Sequence, residues 1–273
     1  MKVLLAVAED LFKFACDAIF GTPLDSNKKN ELRYAQQPQS LALPIAKHLL
    51  PSSTSKKAFT PGDQYFIAGT DVYMYKDPVC TFDNALRKLK YGQNVRLVDL
   101  QGRWAQIRLA GVLGWVLKDA LALQASDVYP QFRSGVQYDA YNTQTIKLRA
   151  CIDDMFHGGK SNHILSAAEY AQYKLEQKKI FIDWGDIRLR IPGTWQRKLR
   201  GRYGIHIGIY PKQHAVMEYI VDDIGHLAFV ESVFPDGSII ISEIGAGDDA
   251  YYKEQTLKTE QYRELRPVFI EVV

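Results

Sequence analysis

The spacing of apolar residues changes three times along the chain, and each change predicts a different kind of structure. In residues 1–21, Leu5, Leu11, Phe12, Phe14, Ala15 and Ile19 recur at helical intervals and stop at Gly21, which predicts a helix. Residues 22–62 hold no sustained period. Pro23, the polar run from Asp25 to Asn30, Gln36-Gln37-Pro38-Gln39 and Pro51-Ser52-Ser53-Thr54-Ser55-Lys56-Lys57 predict loop and linker around one short helix near 41–50. From 64 to 123 short β-rich runs alternate with turns: Val72-Tyr73-Met74-Tyr75, Leu89 to Val98, Trp104-Ala105-Gln106-Ile107-Arg108 and Gly114-Trp115-Val116. Runs of about five residues with glycine turns predict a small all-β barrel.

After a connector over 124–150 the period turns helical again. Ser166-Ala167-Ala168-Glu169 is a capping box, in which Ser166 accepts from the amide of residue 169 and Glu169 reaches back. Tyr170, Tyr173 and Leu175 continue that helix to about Lys178. Strands follow near 214–220, 227–234, 238–244 and 267–273. A helix followed by an antiparallel sheet is an α+β layout. The predicted organisation is an N-terminal extension over 1–62, an all-β unit over 63–125 and an α+β unit over 140–273.

The two middle strands of that last unit carry candidate chemistry. Gly225-His226-Leu227-Ala228-Phe229-Val230-Glu231-Ser232-Val233 runs through Phe234-Pro235-Asp236-Gly237 into Ser238-Ile239-Ile240-Ile241-Ser242-Glu243. This reads as a hairpin with a tight Pro-Asp-Gly turn. The start of one strand lies beside the end of the other, so His226 and Glu243 are placed to meet. A carboxylate beside an imidazole orients the general base of a cysteine or serine hydrolase. The same pattern also describes an ordinary amphipathic hairpin.

Composition narrows the classes. With 47% hydrophobic and 24% charged residues, the 273-residue chain has the balance of a globular protein. A net charge of +3, with its positive residues dispersed, suits an anionic polymer such as a cell wall and lacks a nucleic-acid footprint. Its two basic clusters, Arg87-Lys88-Leu89-Lys90 and Arg197-Lys198-Leu199-Arg200-Gly201-Arg202, read as solvated faces. Three cysteines, Cys16, Cys80 and Cys151, make no disulfide framework. No metal-ligand spacing occurs among them or the six histidines, so no metal is expected. Met1-Lys2-Val3-Leu4-Leu5-Ala6-Val7-Ala8 starts like a secretory signal, but Glu9, Asp10, Lys13 and Asp17 break its apolar run, and none is expected. No stretch approaches the ~18 apolar residues of a membrane span.

The C-terminal region resembles the CHAP family, the cysteine- and histidine-dependent amidohydrolases and peptidases, over roughly residues 145–273. The likeness rests on Ser166-Ala167-Ala168-Glu169-Tyr170-Ala171, Trp195, Pro211, Ala215-Val216-Met217, Gly225-His226-Leu227-Ala228-Phe229-Val230-Glu231, Asp236-Gly237-Ser238-Ile239 and Ser242-Glu243-Ile244-Gly245. Residues 64–121 are similar to the bacterial SH3-like domain, most specifically at Gly114-Trp115-Val116. The first resemblance implies a papain-like α+β fold shared with the NlpC-type wall peptidases. The second implies a separate small barrel that binds wall peptide or packs on a catalytic partner.

The resemblance also implies a site: His226 as general base and acid, Glu243 as its orienting carboxylate, and a cysteine at the first turn of the helix, where unpaired amides and the helix dipole favour thiolate. This chain has Ala167 there, and alanine has no nucleophilic atom. Either the alanine is an engineered block or it marks a binding-only relative. Cys151 is an alternative nucleophile, although no N-cap precedes it closely and a buried structural thiol is the simpler reading. Gly245 stands where many family members have asparagine. Glu231 competes with Glu243, but its strand parity differs from that of His226. His157, His163, His206 and His214 read as solvated or structural, and Trp184 and Trp195 as core residues that could line a cleft.

The implied reaction is amide hydrolysis of peptidoglycan, as an amidase or endopeptidase, with no cofactor. Its partners would be wall peptides and, for an injected antibacterial toxin, a cognate immunity protein; neither nucleic acid nor membrane is expected. Made without a signal, such a protein would reach the wall or periplasm by injection or by holin-dependent release as a lysin, or would act in the cytoplasm as an amidase on a small peptide conjugate. The rival reading is a non-catalytic wall-binding or scaffold protein.

Overall fold

A computed structural model describes residues 58–152, 163–187, 190–245 and 250–273. These all fall in one compact unit that runs from Ala42 to Val273. The helices expected over 1–21 and near 41–50 lie outside the described residues. Among the described residues no helix is long and apolar enough to cross a membrane.

The first sheet is antiparallel and has seven strands: β1 (Gln64–Ile67), β2 (Tyr73–Tyr75), β3 (Ala85–Lys88), β4 (Asn94–Gln101), β5 (Trp104–Leu109), β6 (Val112–Leu117) and β7 (Leu121–Ala122), in the order β3-β2-β6-β5-β4-β1-β7. Alternate residues point inward, so Tyr65, Ile67, Met74, Val95, Leu97, Ile107 and Val116 form a core of their own. Gly114 has a packing reason. A Cβ there would stand 2.5 Å from Met74 Cγ and 2.9 Å from the Tyr75 carbonyl oxygen, so only glycine lets β6 approach β2.

A short helix, α1 (Ala125–Val128), and then α2 (Thr143–Cys151) follow. The connector is tied at both ends: Tyr129 Oη donates to the Gly92 carbonyl at 2.7 Å, and Lys147 Nζ donates to the Ser126 carbonyl at 2.8 Å. Helix α2 gave no periodic signal because its buried positions include Thr145 and Lys147, while Ile146 is exposed.

The C-terminal part places α3 (Ala167–Gln177) and α4 (Trp195–Leu199) before a six-stranded antiparallel sheet. Its strands are β8 (Ile205–Gly208), β9 (Val216–Val221), β10 (Ile224–Val233), β11 (Ile239–Ile244), β12 (Tyr252–Leu257) and β13 (Val268–Val272), ordered β12-β11-β10-β9-β13-β8. Helix α5 (Thr259–Glu264) links β12 to β13. One sheet face, with Val216, Leu227, Phe229, Ile244 and Ile270, packs on Ala167, Tyr170, Ala171 and Leu175 of α3. The other face, with Met217, Ala228, Val230, Ile239 and Ile241, packs on Tyr262 of α5. This mixture of helix and antiparallel sheet is the expected α+β class.

Candidate active site

Two turns set the site. Asp222 and Asp223, both at positive φ (49° and 63°), close a two-residue connection between β9 and β10. The register that results puts His226 opposite Tyr219. Beyond β10, Asp236 Oδ1 accepts from Ser238 N at 2.9 Å and from Ser238 Oγ at 2.6 Å, and Gly237 takes φ 84°. The Pro-Asp-Gly turn expected from the sequence is thus built. A bulge between Val230 and Ser232 then shifts the β10–β11 pairing, and Ala228, not His226, stands directly opposite Glu243. Carried two residues further, the same register sets Gly245 opposite His226. His226 and Glu243 are diagonal neighbours on one face of the sheet.

Tyr219 joins them. Its ring stacks on the His226 imidazole, with centroids 4.8 Å apart and planes 17° apart. Its hydroxyl donates to Glu243 Oε2 at 2.6 Å in a buried setting. Burial first, and then the Glu243 charge, push the Tyr219 hydroxyl pKa up, so it stays a donor. Burial lowers the His226 pKa; Lys253 lowers it further, and Glu243 opposes both. The imidazole is therefore neutral at neutral pH, the state of a general base. Lys253 stands directly opposite Glu243 on β12. His226, Glu243 and Lys253 open on a cavity of about 570 Å³ that Gly245, Ser134 and Tyr251 also line.

The expected nucleophile position has a different setting. Ala167 is the first residue of α3, and Ser166 caps the helix: its side chain accepts from Glu169 N at 3.2 Å, while Glu169 Oε2 accepts from Ser166 N at 2.9 Å. Arg149 Nε donates to Glu169 Oε1 at 2.6 Å and fixes the carboxylate. Ala167 is 2% exposed and packs in the cluster that holds Leu227. It therefore belongs to the sheet face opposite the one that carries His226 and Glu243, and it does not line their cavity. The structure brings His226 and Glu243 together and leaves Ala167 across the strand from them.

The other candidates have plain roles. Burial, with Glu176 next, pushes the Cys151 thiol up to about 12, so it is not a thiolate, and it lines a separate cavity. Glu231 faces α3, where it pairs with Lys174 Nζ at 2.6 Å and accepts from Ser242 Oγ at 2.6 Å. His206 on β8 stands opposite Glu271 of β13, and His214 stacks near Phe229. The His163 carbonyl accepts from Arg149. His157 lies outside the described residues. Trp184 and Trp195 meet edge to face at 4.8 Å, with Trp195 fully buried. Sequence reasoning missed Tyr219 and Lys253. The pair Asp222-Asp223 between apolar runs held the signal for Tyr219, since a two-residue turn centred there forces 219 opposite 226.

Glu218, a further buried carboxylate, accepts from Trp195 N at 2.8 Å and Gln196 N at 2.6 Å and so holds the start of α4. Burial raises its pKa against the pull of these amides. Among the described residues no three histidine, cysteine or carboxylate side chains gather as a metal site.

No protein-family model and no curated relative matches this chain. Among solved structures, an N-acetylmuramoyl-L-alanine amidase from Staphylococcus aureus is similar at 24% identity and a TM-score of 0.32, over 40% of this chain and 30% of that one. An NlpC/P60 family protein from Bacillus cereus is similar at 14% identity and a TM-score of 0.29, over 77% and 63%. NlpC2 from Trichomonas vaginalis is similar at 11% identity and a TM-score of 0.25, over 77% and 71%. The chain thus spans less than a third of the amidase it resembles. At such superposition scores none of these likenesses assigns a fold or an activity, and the function has to be argued from the site.

Proposed function

We propose that the C-terminal part is an amide hydrolase directed at cell-wall peptides, of the CHAP kind, and that Ala167 leaves this chain able to bind but not to cut. The observation that carries the reading is the His226 imidazole, stacked on Tyr219 and held beside a Glu243 that Tyr219 anchors, at the rim of an open cavity. In a cysteine form the thiolate would attack the peptide carbonyl. His226 would take the thiol proton and give it to the leaving amine, amides at the start of α3 would stabilise the oxyanion, and a water deprotonated by His226 would then hydrolyse the acyl-enzyme and restore the thiol. The seven-stranded sheet would serve as the SH3-like module that holds the wall. Action at the wall or in the periplasm, after injection as a toxin or release as a lysin, belongs to the same proposal.

A second reading has its own support. Ala167 is buried on the far face of β10, so a cysteine there reaches His226 only if the start of the strand turns. That favours a wall-binding protein with an inert hydrolase fold. Muropeptide release from purified sacculi, measured by mass spectrometry, separates the two. New products from Ala167→Cys alone support the hydrolase. Products from both forms move the nucleophile elsewhere. Products from neither, with wall fragments still bound, leave the binding protein. Harm from Ala167→Cys sent to the periplasm marks the toxin setting, and lysis from outside marks the lysin.

A further inference from the structure

Each of the two sheets has two edges, and three of the four are guarded. Strand β12 is nearly all polar, and its start is covered: Gly135 N donates to the Tyr252 carbonyl at 3.2 Å, and Tyr252 N donates to the Val136 carbonyl at 3.3 Å. Strand β3 ends on Arg87-Lys88, and β7 is only two residues long. Charge, cover and brevity all keep an edge from pairing with another chain. Strand β8, the edge beyond β13, is longer than β7 and lacks the charge. It reads Ile205-His206-Ile207-Gly208 and runs on into Ile209 and Tyr210, both exposed, with no lysine, carboxylate or proline among the six.

The direction of its main-chain groups follows from its one strand neighbour. Val273 N donates to the Gly204 carbonyl at 2.8 Å, and the register continues to Glu271 opposite His206 and Phe269 opposite Gly208. Bonding groups alternate along an antiparallel pair, so Gly204, His206 and Gly208 turn theirs to β13, and Ile205, Ile207 and Ile209 turn theirs outward. Ile205 N is met by the Arg202 carbonyl at 3.2 Å, while the Ile207 N–H and C=O face the open edge.

This row is complementary to itself. Laid antiparallel about a twofold axis at Ile207, it pairs Ile207 with Ile207 and Ile205 with Ile209 on one face. On the other face it sets His206 opposite Gly208, where even a Cβ would meet nothing within 4 Å. A cavity of about 240 Å³ lined by Gly208, Tyr210, Lys212 and Glu271 leaves the imidazole room there. Ile207 N–H bonds Ile207 C=O in both directions, Ile209 N–H bonds Ile205 C=O in both, and Ile205 N keeps its bond to Arg202. An axis at His206 would instead set two imidazoles side by side and call on Ile205 N. We infer that β8 is a homodimer interface, at which a second copy of this chain adds its own β8 antiparallel about Ile207 and joins the two six-stranded sheets into one.

The basic cluster from Arg197 to Arg202 does not oppose this pairing. Arg202 lies five residues from the axis, so its two copies stand roughly 30 Å apart, well beyond the ~10 Å over which salt leaves charges coupled. Lys212, which this register brings toward Arg202 of the second copy, is already paired with Glu271. Strands β13 and β9 separate β8 from His226 on β10, so the interface and the candidate active site stand or fall separately.

The test is sedimentation velocity of the full chain over a concentration series. So short a strand pair buries less than a standard interface, and a monomer–dimer equilibrium with a micromolar Kd is expected. Ile209→Lys, at an exposed position, should raise Kd about tenfold or more and leave Tm unchanged. Cysteine reads the register. Hydrogen-bonded antiparallel pairs hold their Cα atoms about 5.5 Å apart, within disulfide reach, so Ile207→Cys should link two chains on mild oxidation. His206→Cys should not, because its two copies are offset to about 8 Å. The unsubstituted chain, with its three cysteines, is the control. A chain that stays monomeric at several hundred micromolar overturns the inference. So does a dimer that Ile209→Lys leaves intact, or one that links through position 206 and not through 207.

Discussion

At the scale of single residues, the most consequential side chain is Tyr219, which touches both members of the candidate pair. Tyr219→Phe keeps the ring under His226 and removes the donor to Glu243. A buried carboxylate that loses a hydrogen bond costs about 1–3 kcal/mol, and urea unfolding should show a loss of that order. NMR titration should also show a changed His226 pKa, because Glu243 would no longer be fixed. An unchanged pKa with unchanged stability would mean that the contact does not organise the pair. His226 and Glu243 were legible in the sequence because their strands and turn were. Tyr219 was not singled out, since partners across a sheet are fixed by register and register by the exact turn. The separation of Ala167 from His226 was hidden for a related reason. A motif fixes order along the chain, but which side of a sheet a helix covers is settled only by packing.

At the scale of elements, strands β9, β10, β11 and β13 and helix α3 lie within a few residues of where periodicity put them. The capping box at Ser166 is formed as expected. Helix α2 and strands β8 and β12 were not foreseen. Strand β12 reads Tyr252-Lys253-Glu254-Gln255-Thr256-Leu257, nearly all polar, because it is an edge strand with no buried face to mark it. Helix α2 fails for the opposite reason: it buries Lys147 and Thr145 and exposes Ile146. An element-scale prediction concerns Gly114. Gly114→Ala should push β6 off β2 and lower the unfolding free energy by about 1–3 kcal/mol, the usual cost of overpacking. Intact stability in that variant would show that Met74 yields without cost.

At the scale of the whole molecule, pH should act on stability through its histidines. His226 and His214 both have lowered pKa values, each chiefly through burial, with ordinary values of 6.5. Below that value the unfolded chain binds protons that the folded chain still refuses, so stability falls as pH falls from about 6.5 toward the lowered values. Glu218 acts the other way. Its pKa is raised above 4.5, so its contribution is lost as pH rises from there through the raised value. Chemical unfolding of the full chain at stepped pH should show a decline below neutrality, and His226→Asn should shrink it. An identical decline in that variant would place the titration elsewhere.

The place where β10 begins has a consequence of its own. At Gly225, a Cβ would stand 2.3 Å from the Pro192 carbonyl oxygen and 2.4 Å from Gly193 N, so two stretches of main chain lie against each other one residue before His226. The position of the imidazole is then referenced to a peptide plane and not to a side chain that can change rotamer. Evolution or engineering can repaint the cavity around His226, but turning the start of β10, as a nucleophile at position 167 would require, means first parting those two backbones.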